Sequence, residues 1–167
     1  LNASVYLYHN VIKLLNNWLF IQTAQADKRV RHKVIPREVM DDALRYVVSH
    51  EVGHCLGFMH NMSASSVIPV DSLRSPSFTQ KHGTTTSIMD YARFNYVAQP
   101  GDMERGVRMM PPYFGLYDDY LIRWNYTPVP EAKTPEEEYA ITSKWIISVW
   151  QAAVGYTRPS FSNGRFG

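Results

Sequence analysis

The chain has 167 residues, 45% of them apolar and 19% charged, with a formal net charge of +2 at neutral pH. That length supports one domain with a proper core, and so mild a charge argues against nucleic acid as the main partner. The single cysteine, Cys55, excludes an internal disulfide and reads as a small core residue. No run of eighteen apolar residues offers a membrane span.

Residues 1–8, LNASVYLY, alternate Leu1, Ala3, Val5 and Leu7 with Asn2, Ser4, Tyr6 and Tyr8, which predicts a half-buried strand. From Asn10 the period lengthens, and Val11, Leu14, Leu15, Trp18, Leu19 and Gln22 form the single stripe of a helix. The basic run Lys28-Arg29-Val30-Arg31-His32-Lys33 follows and reads as a solvated loop. Pro36 suits the first position of a second helix. Its stripe of Val39, Met40, Ala43, Leu44, Val47 and Val48 runs into HEVGHCLGFMHN, residues 50–61, where Gly57 suits a left-handed cap.

Residues 61–86 are rich in Ser, Thr and Pro and predict irregular chain, with a short helical turn near Ser77 to Lys81. GLYDDYLIRWNY, 115–126, predicts a helix with acidic residues in its first turn. After the connector PVPEAK, Thr134-Pro135-Glu136-Glu137 is a capping box that opens a helix through Trp145, Val149 and Trp150 to Gly155. There is no internal repeat or low-complexity tract. The chain opens on Leu1 without an initiator methionine or signal peptide and closes on SNGRFG, so it reads as a piece of a longer protein.

The chemistry concentrates in residues 50–60. His50 and His54 are four apart, so on a helix both imidazoles leave one face, one turn above the other. Two rings so placed can share a metal at zinc–nitrogen distances of about 2.0–2.1 Å. Glu51 is rotated about 100° from His50, which lets its carboxylate flank the metal and act as a base towards water. The break at Gly57 lets the chain turn back and bring His60 in as a third ligand. Three protein ligands leave one position open, as in catalytic zinc sites. This composition would produce H-E-x-x-H-x-x-G-x-x-H by chance with a probability on the order of 10⁻⁵, so accidental histidines are a poor explanation. His9, His32 and His82 stand alone and read as surface or core residues.

The motif resembles that of the metzincin metallopeptidases, which it matches at His50, Glu51, His54, Gly57 and His60. SIMDY, 87–91, is similar to the family's Met-turn, with Met89 as the methionine beneath the metal. The resemblance implies one zinc per chain and Tyr91 as a residue able to contact zinc or the reacting carbonyl. Asn61, after the third histidine, departs from the residues usual there. The stretch SLRSPSFTQKHGTTTSIMDYARFNYVAQPGD resembles the large, multidomain zinc-dependent metalloproteases of Bacteroidetes-type bacteria, which implies a secreted or periplasmic location and further domains of the same parent chain.

The expected fold is therefore α+β: a helix-rich, zincin-like catalytic domain fragment over 1–128 with a central active-site helix and an incomplete N-terminal sheet. A C-terminal helical extension is expected over 129–167. The expected function is zinc-dependent hydrolysis of peptide bonds in a peptide or protein substrate, with Glu51 as general base. Two alternatives stand beside it: an inert zinc-binding module of a larger protein, which would have no need of Glu51, and a zinc hydrolase acting on a non-peptide amide or ester.

Overall fold

The computed structural model of the protein describes residues 3–156. The chain divides into two compact units, Leu1–Leu121 and Ile122–Gly167.

In the first unit, helix α1 (Asn10–Thr23) buries Leu15, Leu19 and Thr23, spaced four apart, and leaves Ile12, Phe20 and Ile21 exposed. Full burial of a leucine contributes about 1.5–3 kcal/mol, so Leu15 and Leu19 anchor this helix. They meet Val39 and Ala43 of helix α2 (Arg37–Cys55), and Val30, Ile35, Phe94 and Met110 complete the cluster. Pro36 precedes α2 with extended backbone instead of occupying its first position as the sequence suggested. Its missing N–H costs nothing in either place.

The basic run departs from a plain solvated loop. Residues Lys28–Arg31 form a 3-10 turn whose Val30 is buried in the core, because Asp27 accepts hydrogen bonds from the Arg29 amide at 2.9 Å and the Arg29 guanidinium at 2.8 Å. The remaining basic side chains face solvent.

At its C-terminus α2 closes in a Schellman motif. Gly57 is left-handed, φ 86°; its amide donates to the His54 carbonyl, and the Phe58 amide donates to that of Gly53. Cys55, expected in the core, is only half-buried.

A short helix α3 (Val70–Leu73), not anticipated from the sequence, precedes α4 (Pro76–His82), which Ser75 caps through the Phe78 amide. The long loop that follows is fastened by side chains. Asp102, fully buried, accepts from Arg74 Nε at 2.8 Å, from Arg105 and from the Gln99 amide, and Asn95 donates to the carbonyls of Leu73 and Arg108. A second cluster of Ala26, Ala98, Val107 and Met109 lies beneath it.

The strand expected over 1–8 does not form. Leu1 and Asn2 lie outside the described residues, and 3–8 take no regular structure. Tyr6, Leu7 and Tyr8 are exposed, and among the described residues no second strand exists to complete a ladder. An alternating pattern without a partner leaves its backbone groups to water. The described residues are thus helical and irregular, and they contain none of the sheet of the expected α+β class.

Helix α5 (Leu116–Tyr126) crosses the boundary between the units. In the second unit α6 (Pro135–Tyr156) begins at the anticipated capping box. The Thr134 hydroxyl accepts from the Glu137 amide at 3.3 Å, while the Glu137 carboxylate reaches the Lys133 amide at 2.7 Å. Trp124 and Trp145 meet edge to face, with ring centroids 6.5 Å apart. The side chains of Val149 and Trp150 lie outside the described residues.

Candidate metal centre

Helix α2 carries His50 and His54 on one face, and the turn at Gly57 returns the chain so that His60 meets them. His60 Nε2 stands 3.0 Å from His54 Nε2 and 3.2 Å from His50 Nε2, and one ligand atom from each ring lies within 4.8 Å of the other two.

The other ring nitrogens explain why two of these three point inward. His50 Nδ1 is 2.7 Å from the Ile88 carbonyl oxygen, and His54 Nδ1 is 2.9 Å from that of Phe58. A carbonyl can only accept, so each Nδ1 carries a proton, and in the neutral ring Nε2 is left with a bare lone pair. Lone pairs from neutral imidazoles repel at such range unless a cation lies between them. Burial also pushes the His50 imidazole below its usual range, with the Ile88 carbonyl working in the opposite direction. Ring nitrogens converging from three histidines are the donor set zinc takes, and two ligands of a tetrahedral zinc stand about 3.3 Å apart. The residues fit the ion.

Glu51 borders the centre on the open side. It shares a cavity of about 400 Å³ with His50 and Tyr91, and a second of about 390 Å³ with His54 and Cys55. Its carboxylate has no hydrogen bond or ion pair among the described residues, so it is free to handle a proton. Tyr91, half exposed, directs its hydroxyl at His60 Nε2, 2.8 Å away. His50, Glu51, His54 and His60, expected from their spacing, and Tyr91, expected from the family resemblance, thus come together.

Met89 is fully buried below them. A Cβ added at Gly53, between the two helical histidines, would overlap the Met89 sulfur, so this glycine makes room for the Met-turn against the helix. The turn is held at each peptide. The Asn61 amide donates to the Met89 carbonyl at 2.9 Å, and the Tyr46 hydroxyl to that of Asp90 at 2.5 Å. Asn61 thus supports the turn through its backbone, which any non-proline residue could supply. Burial raises the Tyr46 phenol well above its usual range and keeps it a donor.

The deepest support was not foreseen. Asp118, in the first turn of α5 and fully buried, accepts from the Ser87 hydroxyl at 2.6 Å, the Ile88 amide at 2.8 Å and the Gly115 amide at 2.7 Å. Residue Ile88 therefore lies between the Asp118 carboxylate, which its N–H reaches, and His50, which its carbonyl orients. In the sequence Asp118 reads only as an acidic residue at a helix start, and nothing in a separation of thirty residues signals the contact. Gly53 carried a signal that went unread, a residue without a side chain between two ligands on one helix.

A helix presenting two histidines, a returning third and a buried methionine turn below them is the arrangement of a zinc-dependent metallopeptidase-like domain. The Met-zincin family model matches residues 32–163, and the chain belongs to that family. No curated protein and no solved structure matches it. No helix among the described residues is long and apolar enough to cross a membrane.

Proposed function

We propose that this chain carries the catalytic centre of a zinc-dependent endopeptidase. The observation behind the reading is the convergence of the three Nε2 atoms, with two of the rings locked from behind by backbone carbonyls. His50, His54 and His60 would hold one zinc ion, whose chemistry when bound is Lewis-acid activation of water and carbonyl oxygen. Glu51 takes a proton from the water that attacks the scissile carbonyl and passes it to the leaving amine. Tyr91 donates its hydroxyl to the oxygen that gains negative charge. The free Glu51 carboxylate favours this reading over an inert metal-binding module.

We further propose, from the resemblance of the sequence alone, an α+β catalytic domain extending over 1–128, further domains of the same parent chain, and an extracytoplasmic location. The closer kinship to multidomain Bacteroidetes-type proteases belongs with them.

The test is hydrolysis of casein-like and small ester substrates by the full protein, with and without chelator. Peptide cleavage should be lost on chelation. Glu51→Gln should keep one zinc per chain and lose about 10²–10⁴ in rate. Cleavage unaffected by chelator, or near wild-type turnover in Glu51→Gln, would overturn the mechanism. Ester hydrolysis without peptide cleavage would move the reaction to non-peptide substrates.

A further inference from the structure

Two residues beyond Tyr91 the backbone does something costly. Arg93 has φ 57°, and it is the one non-glycine residue among those described in the left-handed region. Long side chains avoid that region, and residues held there gather at sites that grip a ligand. The distortion turns the Arg93 guanidinium over the face of Trp18, 3.9 Å from the ring centroid. Arg93 is half-buried and forms no hydrogen bond or ion pair through its side chain among the described residues. Arg74 and Arg105, by contrast, both pair with Asp102.

The position of Arg93 gives this free cation its meaning. It lines the 400 Å³ cavity that holds His50, Glu51 and Tyr91, and also a cavity of about 550 Å³ that shares Tyr91. Neither acid bordering these cavities neutralises it. Asp90 accepts the Ser65 amide at 2.6 Å, and Glu51 makes no ion pair among the described residues. The remaining wall beside Glu51 is largely apolar, with Val11, Leu14, Leu15 and Val47.

We propose that Arg93 is the specificity-determining residue of the cleft, selecting peptides that bring a carboxylate next to the scissile bond. This rests on the endopeptidase reading above and adds a substrate class to it. A guanidinium stays charged at every working pH and offers paired N–H groups that match a carboxylate. Trp18 covers one face and keeps water from it, which strengthens attraction to an anion and leaves the edge of the group open. The apolar wall accepts the stem that carries the carboxylate. A lysine at the same place would meet like charge, and a glutamine would lose the charge-assisted pair. The carboxylate can come from an acidic side chain or from the terminal carboxylate of a short substrate. The two sources share one chemistry and separate by experiment.

The test uses peptides that differ only beside the cut bond. Three have blocked ends and carry Glu, Gln or Lys; a fourth carries Gln and ends there in a free carboxylate. Cleavage is measured as kcat/KM on the full protein, and binding by fluorescence anisotropy on Glu51→Gln, which needs no turnover. A carboxylate peptide should exceed the blocked Gln peptide by roughly 10–100-fold, the range of a charged hydrogen-bonded contact, with Lys weakest. Whether the Glu or the free-ended peptide shows the gain identifies the source. Arg93→Asn removes the cation and keeps a residue that tolerates the left-handed backbone, and it should bring the peptides to parity. Arg93→Lys should recover part of the preference. The proposal is overturned if wild-type protein neither cleaves nor binds a carboxylate peptide better than the Gln peptide, or if the preference survives in Arg93→Asn. Should Arg93→Asn fail to fold, the wild-type series and Arg93→Lys decide. Absence of chelator-sensitive cleavage of all four peptides, with Arg93-dependent binding intact, would instead refute the endopeptidase reading alone.

Discussion

Replacing Asp118 with asparagine tests whether the metal centre depends on a carboxylate in another helix. In the native chain Oδ2 accepts two amides, from Ile88 and Gly115, and Oδ1 accepts the Ser87 hydroxyl, which in turn accepts the Met89 amide at 3.0 Å. An asparagine oxygen in place of Oδ2 keeps the two amides, but as neutral bonds worth about 0.5–1.5 kcal/mol each instead of about 1.5–3. Its NH₂ in place of Oδ1 faces a hydroxyl that has lost its acceptor. Three weakened contacts at about 1 kcal/mol each put the destabilisation at about 2–4 kcal/mol, or roughly 10 °C in Tm for a unit of this size.

The second consequence is specific to the metal. The Ile88 peptide orients His50 through its carbonyl, and losing the carboxylate behind it weakens that grip. Zinc affinity should fall by up to about 10-fold, short of the roughly 10–100-fold typical of removing a ligand's direct outer partner, because the Ile88 carbonyl itself remains. Thermal denaturation of the metal-free protein and a chelator competition read the two effects separately. A lower Tm with unchanged zinc affinity would show that Asp118 holds the turn without reaching His50. If neither changed, the network would carry no weight at all.

Tyr91→Phe should lower kcat by about 10²–10³ with KM little changed, since the hydroxyl acts on charge formed in the transition state; unchanged kcat in the zinc-loaded variant would remove Tyr91 from the mechanism. Gly53→Ala should push the Met89 thioether aside and destabilise by about 1–3 kcal/mol in denaturant titration, and a variant as stable as the parent would mean that the turn has room to spare. Asp102 gives a pH prediction. Arg74 in the first place, with the Gln99 amide and Arg105, holds its carboxyl well below the ordinary value of 3.8. A folded-state value depressed in this way adds stability above about pH 4 that drains away as the pH falls towards the depressed value. Asp102→Asn should therefore flatten the acid side of the stability profile, and an unaltered slope between pH 4 and pH 2 would contradict the assignment.

The parts of this protein legible in the sequence are those whose physics is local. Histidines at i and i+4 face one way because of helix geometry alone, and a glycine three residues later ends the helix wherever it stands. His50, Glu51, His54 and the Gly57 turn needed no knowledge of the remaining chain. The helix over 10–23 followed from its own periodicity and the helix from Pro135 from its local capping box at Thr134, while the one expected over 115–126 carries acidic residues in its first turn. The strand over 1–8 failed for the complementary reason. Alternation is a necessary property of a strand, but pairing is a property of two segments, and among the described residues 3–8 have no partner.

What the pattern could not convey lies at long range and in small groups. Asp118 approaches Ser87 and Ile88 across some thirty residues, and an acidic residue in a first helical turn has an adequate local explanation that conceals the distant one. Arg93 is harder still, because its meaning depends on a backbone angle and on Trp18 in α1, 75 positions earlier. Neither is part of a spacing motif, yet one supports the metal ligands and the other faces the cleft. The histidine motif points to a class of chemistry, since in our proposal three nitrogen donors and the Glu51 carboxylate suffice for it. In our proposal, how firmly the metal is held and which peptide is accepted are decided by residues that the fold alone brings to the site.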